Sequence, residues 1–421
     1  MTVEPPFFVS APGKVIIFGE HASVYGKPAI AAAVSLRTYL HVSASQDEET
    51  ITLDFPDIGL THSWKRNDLP WETAERYSTG KPQPTDELVP EIVSELQSLL
   101  SQHTNSIHYA AAYSFLYLYL CLANSRTPGF TFTVRSALPI GAGLGSSASI
   151  SVCLSAALSL LGNHINAASV KSEEPTTDND DLTFIDSWSF MGEKCMHGNP
   201  SGIDNACATH GGAVMFQRMQ SSVPSVRTTM RNFPKLKLLL TNTKHPRRTA
   251  ELVGGVSRLT SKYPKTASNI LDAIESLTRE AYNLMIRPFL DQDAKSRMSD
   301  LFEMNHGLLV ALGVSHPTLE KVRILTDEAK IGKTKLTGAG GGGCAITLVN
   351  DDVTEDAIHE LSKKYEENGF TTYETTLGGK GVGYLSSSST VRTPEEFKAL
   401  ETRLDIEKAM QVDTLENWRF W

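Results

Sequence analysis

The sequence predicts an α+β protein of two domains, on three observations. At 421 residues the chain exceeds what one ordinary hydrophobic core organises. Alternating apolar runs of strand length are interleaved with longer runs of helical spacing, without a long internal repeat. A fresh strand pattern, Lys235–Thr243, opens well past the middle of the chain. The expected division is residues 1–234, residues 235–385 and a C-terminal extension, 386–421.

Each element follows from its local pattern. The run from Phe7 reads as a strand that breaks at Pro12-Gly13 and resumes over Val15–Phe18. Ala29–Ser45 and Thr50–Pro56 supply further strand material. Residues 75–87 are polar and carry Pro82 and Pro84, which predicts a loop. Leu88, Ile92, Leu96 and Leu99 fall on one helical face. Ala110–Ala123 is apolar but too short to span a membrane, and is expected to be a buried helix. Gly129–Pro139 alternates as a strand and leads into a second helix behind Gly145. Residues 163–181 are acidic and turn-rich, a surface loop. The next helix is expected to be capped by Asp180 or Asp181. Three helical patterns span residues 248–330, then a Gly-rich loop, a strand, a helix over Thr354–Asn368 and a strand over Phe370–Thr376. Thr393 and Glu396 stand at capping-box spacing before an exposed helix.

Bulk chemistry excludes several classes. A net charge of −9 argues against nucleic acid and against a polybasic membrane surface, so anion binding must rest on a few placed cations. The five cysteines, Cys121, Cys153, Cys195, Cys207 and Cys344, are odd in number and show no CxxC pair. They are expected to be reduced and buried in a cytoplasmic protein, with no zinc or iron–sulfur site. The N-terminus has no secretory pattern and the C-terminus no lipid anchor.

Four segments carry candidate chemistry. "PIGAGLGSSAS", Pro139–Ser149, sets glycines on alternate positions before a helix. Glycine backbone admits close approach by an anion, and a helix N-terminus offers unpaired N–H groups and a positive dipole end. Ser146 or Ser147 can ligate Mg²⁺, or simply cap the helix. The stretch is no P-loop, since Ser146 stands where a lysine is needed, and it is not at the first βα turn of a dinucleotide fold. In "APGKVIIFGEH", Lys14 opens an apolar strand and needs an anionic partner or ligand. In "HGNPSGIDNA", Asp204 sits at a helix start, as an N-cap or a functional carboxylate, with Glu193 eleven residues upstream. "KLTGAGGGGCAITL", Lys335–Leu348, reads as a loop packed on a ligand or on another loop. Thr243, Lys244, Arg247 and Arg248 form a basic turn, solvated or ligand-facing.

Together these segments, with "LLLTNTK", resemble the GHMP kinase superfamily, and within it the mevalonate kinases, over roughly residues 8–385. The resemblance implies an N-terminal domain like ribosomal protein S5 domain 2, a C-terminal ferredoxin-like α+β domain, and an active site between them. It implies transfer of the γ-phosphoryl group of ATP to the 5-hydroxyl of (R)-mevalonate, in isoprenoid and sterol precursor synthesis. Gly141, Ala142, Gly143, Leu144, Gly145, Ser146 and Ser147 would hold the phosphates, and Ser147 with Glu193 would hold Mg²⁺. Asp204 would accept or orient the hydroxyl proton, with Lys14 paired to it. Lys14, Glu20, His21, Asp204, Thr243, Gly338 and Ala339 would contact mevalonate, and Leu53 and Trp64 the adenine. The resemblance leaves a homodimer open and allows prenyl diphosphates as feedback inhibitors.

Ile150 departs from members that carry an aromatic residue there. Neither the 163–181 loop nor the tail from Thr393 acquires a role from the resemblance. The alternatives are a phosphomevalonate kinase or galactokinase, or a non-catalytic regulator of the same fold. The "HGNPSGIDN" pattern disfavours the first two. The presence of Lys14, Glu193 and Asp204 together disfavours the third.

Overall fold

A computed structural model describes residues 3–77, 80–139, 141–171, 174, 177, 179–219, 226–230, 233, 235–246, 248–287, 289–386, 393–410 and 417–421. The N-terminal half is organised around two long strands, β1 (Phe7–Phe18) and β2 (Pro28–Ala44), paired antiparallel. β1 does not break at Pro12-Gly13. The register instead shifts between Pro12 and Lys14, and a bulge of this kind absorbs the missing proline N–H without ending the strand. Gly13 is needed there: a Cβ would come 2.3 Å from Leu138 Cδ2 and 2.8 Å from the Leu144 carbonyl.

β2 is the hub of the fold. Beyond β1 it pairs with β5 (Phe130–Ser136), with β7 (Ala213–Gln217), and at Val34–Leu377 with β12 (Thr371–Leu377). β3 (Thr50–Phe55) and β4 (Leu60–Lys65) form a hairpin whose first strand runs parallel to β5. β4 was not foreseen. Its outward residues are polar and its inward ones include only Leu60 and Trp64 as large apolar groups, a faint alternation.

Helices α1 (Trp71–Glu75), α2 (Pro90–Leu99), α3 (Ser106–Leu122), α4 (Ser146–Leu161) and α5 (Asp180–His197) belong to this half, followed by the short α6 (Ile203–His210). α2 starts at Pro90, so Leu88 lies outside it, though it still packs on the core. α3 and α4 are apolar on nearly all sides, as buried helices must be. α5 is capped by neither aspartate. Asn179 accepts from the Leu182 N–H at 2.7 Å, while Asp181 accepts from the Asn166 N–H at 3.0 Å. After α6 the chain turns at Gly211-Gly212 into β7, and β8 (Val226–Met230) pairs with β7.

The second half is an antiparallel sheet in the order β10 (Gly332–Leu336), β11 (Cys344–Val349), β9 (Leu236–Asn242), β12. Helices α7 (Thr249–Lys262), α8 (Pro264–Met285), α9 (Gln292–Ala311), α10 (Pro317–Ala329) and α11 (Glu355–Glu367) cover it. Four helices, not three, fill residues 248–330. α7 and α8 are separated only by Tyr263, because Pro264 cannot continue one helix yet readily opens the next.

The tail is not an exposed appendage. α12 (Pro394–Lys398) has the expected capping box at Thr393 and Glu396. α13 (Arg403–Met410) follows, and β14 (Arg419–Phe420) pairs with β13 (Gly383–Ser386), itself on β1, and with β6 (Val170–Lys171) of the acidic segment. Phe397, Ile406, Met410, Trp418 and Phe420 are buried with Phe8 and Tyr39 in a separate apolar cluster. The helical pattern alone could not reveal this, because the burying partner is more than 350 residues away. The five cysteines are free, and four of them are buried. Among the described residues no helix is long and apolar enough to cross a membrane.

Candidate active site

A cleft of about 720 Å³ lies where the two halves meet. One end is built from the turn before α4. Gly141, Gly143 and Gly145 all have positive φ, at 72°, 80° and 72°. Gly141 and Gly143 face the cleft, while the alternate side chains, Ala142 and Leu144, are buried in the core. The side chains of Ala142 and Leu144 therefore anchor this turn from the core side, so a phosphate contact by these two residues would fall to their backbone N–H groups. Gly145 is the N-cap of α4 and no side chain caps the helix. Its first amides thus remain available, and the capping role open to Ser146 and Ser147 is not realised.

Lys14 arrives from β1. Its backbone N–H donates to Leu144 O at 2.8 Å and its Nζ to Gly143 O at 3.3 Å. The same Nζ lies 3.2 Å from Asp204 Oδ1. Gly145 has no side chain because its Cβ would come 3.0 Å from Lys14 Cγ. Asp204 is in the first turn of α6, whose N-cap is Gly202 without a side-chain cap. Its carboxylate is not engaged in capping, so the capping reading of Asp204 falls.

Glu193, on α5, is buried, and among the described residues its Oε1 has no hydrogen-bond partner. Burial, together with the nearby Asp204 charge, raises its pKa to about 7, while a hydrogen bond with Ser147 and the Lys14 charge pull it down. Ser147 Oγ is also 3.1 Å from His197 Nε2. His197 lines the cleft one helical turn after Glu193, and sequence reading missed it. Its i, i+4 spacing from Glu193 was the available signal.

Gly338 and Ala339, from the loop after β10, line the opposite wall. Glu20, His21 and Thr243 do not. Glu20 is ion-paired with the fully buried Lys335 and accepts from Asn305 Nδ2 at 3.0 Å. A carboxylate with a fully buried side chain requires such partners. His21, at φ 62°, bonds through Nε2 to Ala339 O at 2.9 Å. Thr243 Oγ1 donates to Gly343 O at 2.8 Å. His21 and Thr243 thus hold the Gly-rich loop from behind, and Glu20 holds the end of β10 that leads into it. Lys335 was the overlooked partner, marked only by being a lysine directly before "LTGAGGGG". Of the basic turn, Lys244 is exposed, Arg248 pairs with Glu251 at 2.9 Å, and Arg247 lies outside the described residues.

The far end of the cleft is apolar, formed by Phe55, Ile58, Ile107, Ala110, Ala111 and Ile150. Leu53 and Trp64, expected on the adenine side, are instead buried in the core. They lie on the same hairpin as Phe55 and Ile58; Leu53 shares a face with Phe55, and that face reaches the cleft only at the strand's end, where the Pro56–Ile58 turn begins.

Comparison with known proteins gives a consistent result. The family model described as the GHMP kinases N terminal domain matches residues 107–212, and the GHMP kinases C terminal model matches residues 285–367. The chain is 56% identical over 427 residues to the mevalonate kinase of Candida albicans, covering 99% of each protein. It is 44% identical to that of Saccharomyces cerevisiae, over 91% of this chain and 90% of that one. The crystal structure of L. major mevalonate kinase in complex with R-mevalonate superposes with a TM-score of 0.64 at 22% identity, over 90% of this chain and 98% of that one. This last likeness bears on the fold.

Proposed function

The chain belongs to the mevalonate kinase family of the GHMP kinases, and on that premise we propose that it moves the γ-phosphoryl group of ATP to the 5-hydroxyl of (R)-mevalonate, giving 5-phosphomevalonate and ADP. One observation supports this most strongly. Lys14 and Asp204, 190 positions apart in sequence, meet at 3.2 Å beside the uncapped start of α4.

The triphosphate would rest on the amides of the turn at residues 143–147, where the helix dipole favours negative charge. The glycines facing the cleft let phosphate oxygens come close. Lys14 would bridge the γ-phosphate and the acceptor oxygen and offset charge as it develops. Asp204 would orient the hydroxyl and take its proton. Phosphoryl transfer asks mainly for alignment and charge neutralisation, and these residues supply both. The apolar end would take the nucleotide base.

The donor set fits magnesium: a buried carboxylate with an unpartnered oxygen and a hydroxyl hydrogen-bonded to it, Glu193 and Ser147. Bound there, the ion would screen the phosphate charges. In this reading residues 1–234 carry the phosphate and metal groups, and residues 235–385 contribute the loop at Gly338 and Ala339.

A coupled assay for ADP tests the function, with mevalonate, phosphomevalonate and galactose as acceptors for the wild type and Asp204→Asn. Turnover with mevalonate alone, lost in the variant, is the expected result. Turnover with another acceptor, or none at all, refutes the assignment.

A further inference from the structure

We propose that the C-terminal segment is a working part of the nucleotide site: α12 braces the apolar wall of the cleft, and Lys398 and Arg135 are the positioning residues that transmit it. The inference rests on the reading that the nucleotide base occupies the apolar end.

The wall turns on a short stretch of chain. Phe55 ends β3, and a single turn over Pro56–Ile58 brings Ile58 beside it on the cleft surface. A carboxylate stands on each side of Phe55, Asp54 at the end of the strand and Asp57 within the turn. Both are largely withdrawn from solvent, with side-chain exposures of 6% and 18%. Two such anions three positions apart would push the turn apart without cations to hold them.

Both cations come from, or through, the tail. Lys398 Nζ lies 2.7 Å from Asp54 Oδ2, while Asp54 Oδ1 accepts from Thr61 Oγ1 at 2.7 Å. Arg135, on β5, donates from Nε to Asp57 Oδ1 at 2.9 Å. The same guanidinium donates from Nη1 to Lys398 O at 2.7 Å. That carbonyl is at the end of α12, where intrahelical partners run out, so Arg135 satisfies it and at the same time fixes the Asp57 side of the turn. Asp57 Oδ2 then accepts from the Ser136 N–H at 2.7 Å, and Ser136 is itself on the cleft wall.

The helix that carries Lys398 is immobilised independently. Phe397 is fully buried and meets Phe8 edge-on, with centroids 5.0 Å apart. Trp418 Nε1 donates to Met410 O at 3.0 Å, closing the tail over the same cluster. The chain of contact therefore runs from the tail's apolar cluster through α12 to the two aspartates and the turn bearing Phe55 and Ile58. Among the described residues, none of these side chains has a hydrogen bond or ion pair with Gly141–Ser147.

The test separates the base from the phosphates. Adenosine carries the base without phosphates, and inorganic tripolyphosphate carries phosphates without a base. Each is measured as a competitive inhibitor against ATP in the wild type, Lys398→Ala and Lys398→Arg. Lys398 is half exposed, so its substitution leaves the core intact. Lys398→Ala should weaken adenosine inhibition about 2–5-fold and raise the KM for ATP to match, with kcat and tripolyphosphate inhibition unchanged. Lys398→Arg should restore wild-type values, and Asp54→Asn with Lys398→Ala should be no worse than Lys398→Ala alone. Unchanged adenosine inhibition in Lys398→Ala, or equal loss for both inhibitors, overturns the inference. Failure of both inhibitors to compete with ATP in the wild type refutes the nucleotide-site reading instead.

Discussion

The two ends of the cleft are built on different principles. The phosphate end depends on particular residue types: glycines at positive φ, a lysine paired with an aspartate, and that aspartate's place beside an uncapped helix start. Those requirements constrain which residues can stand there, and they are visible in one sequence. The base end depends on apolar shape, and many side chains serve. Its position is set by what packs behind it, including a tail segment more than 330 residues further along the chain. A site can therefore be half legible.

The comparison predicts a gradient of effects, steepest where residue type is constrained. Asp204→Asn should lower kcat by about 10²–10⁴-fold while ATP still binds, the range for removing a positioned proton acceptor. Near-normal turnover would strip Asp204 of that role. Ser147→Ala and Glu193→Gln should each raise half-saturating magnesium by at least about tenfold, as even the partners of metal ligands do when disturbed. An unaltered magnesium titration in both variants would remove the metal from these residues.

Gly145→Ala probes the backbone. It forces a Cβ into a left-handed conformation and against Lys14, costing about 1–2 kcal/mol in denaturant unfolding from the conformation alone. It should also raise the KM for ATP, since Lys14 must shift. A variant as stable and as active as wild type would mean the turn has more room than the distances allow.

The effect confined to acid pH concerns the tail's seat. His41 lies between Phe8, at 4.3 Å, and Phe397, at 6.1 Å, and its buried Nδ1 has no partner among the described residues. Burial lowers its pKa from 6.5 to about 4, opposed by Glu395. In this range the unfolded chain binds the proton and the folded one does not. Stability is therefore fully present above pH 6.5 and is lost as pH falls towards about 4, by at most about 3 kcal/mol. His41→Phe should flatten that part of the stability–pH profile. An identical slope in wild type and variant would assign the acid sensitivity elsewhere.

Sequence reading reached the strands and the buried helices because periodicity is local, whereas the proximity of Lys14 to Asp204 and of Ser147 to Glu193 was expected only from the family resemblance. The family resemblance set Glu20, His21 and Thr243 at the substrate; the fold shows His21 and Thr243 bonded to the Gly-rich loop and Glu20 paired with Lys335 just before it. Leu53 and Trp64 lie inside the hairpin strands and are buried in the core, while Phe55, on the same face as Leu53, reaches the cleft only at the strand's end. The division between α7 and α8 was hidden because one proline ends the first helix and opens the second.

A crystal structure with a non-hydrolysable ATP analogue and mevalonate tests the central claim most directly. The account predicts phosphate oxygens within hydrogen-bond reach of the amides at residues 143–147, and the acceptor hydroxyl between Asp204 and Lys14. Phosphates bound elsewhere, with the start of α4 left bare, would contradict it.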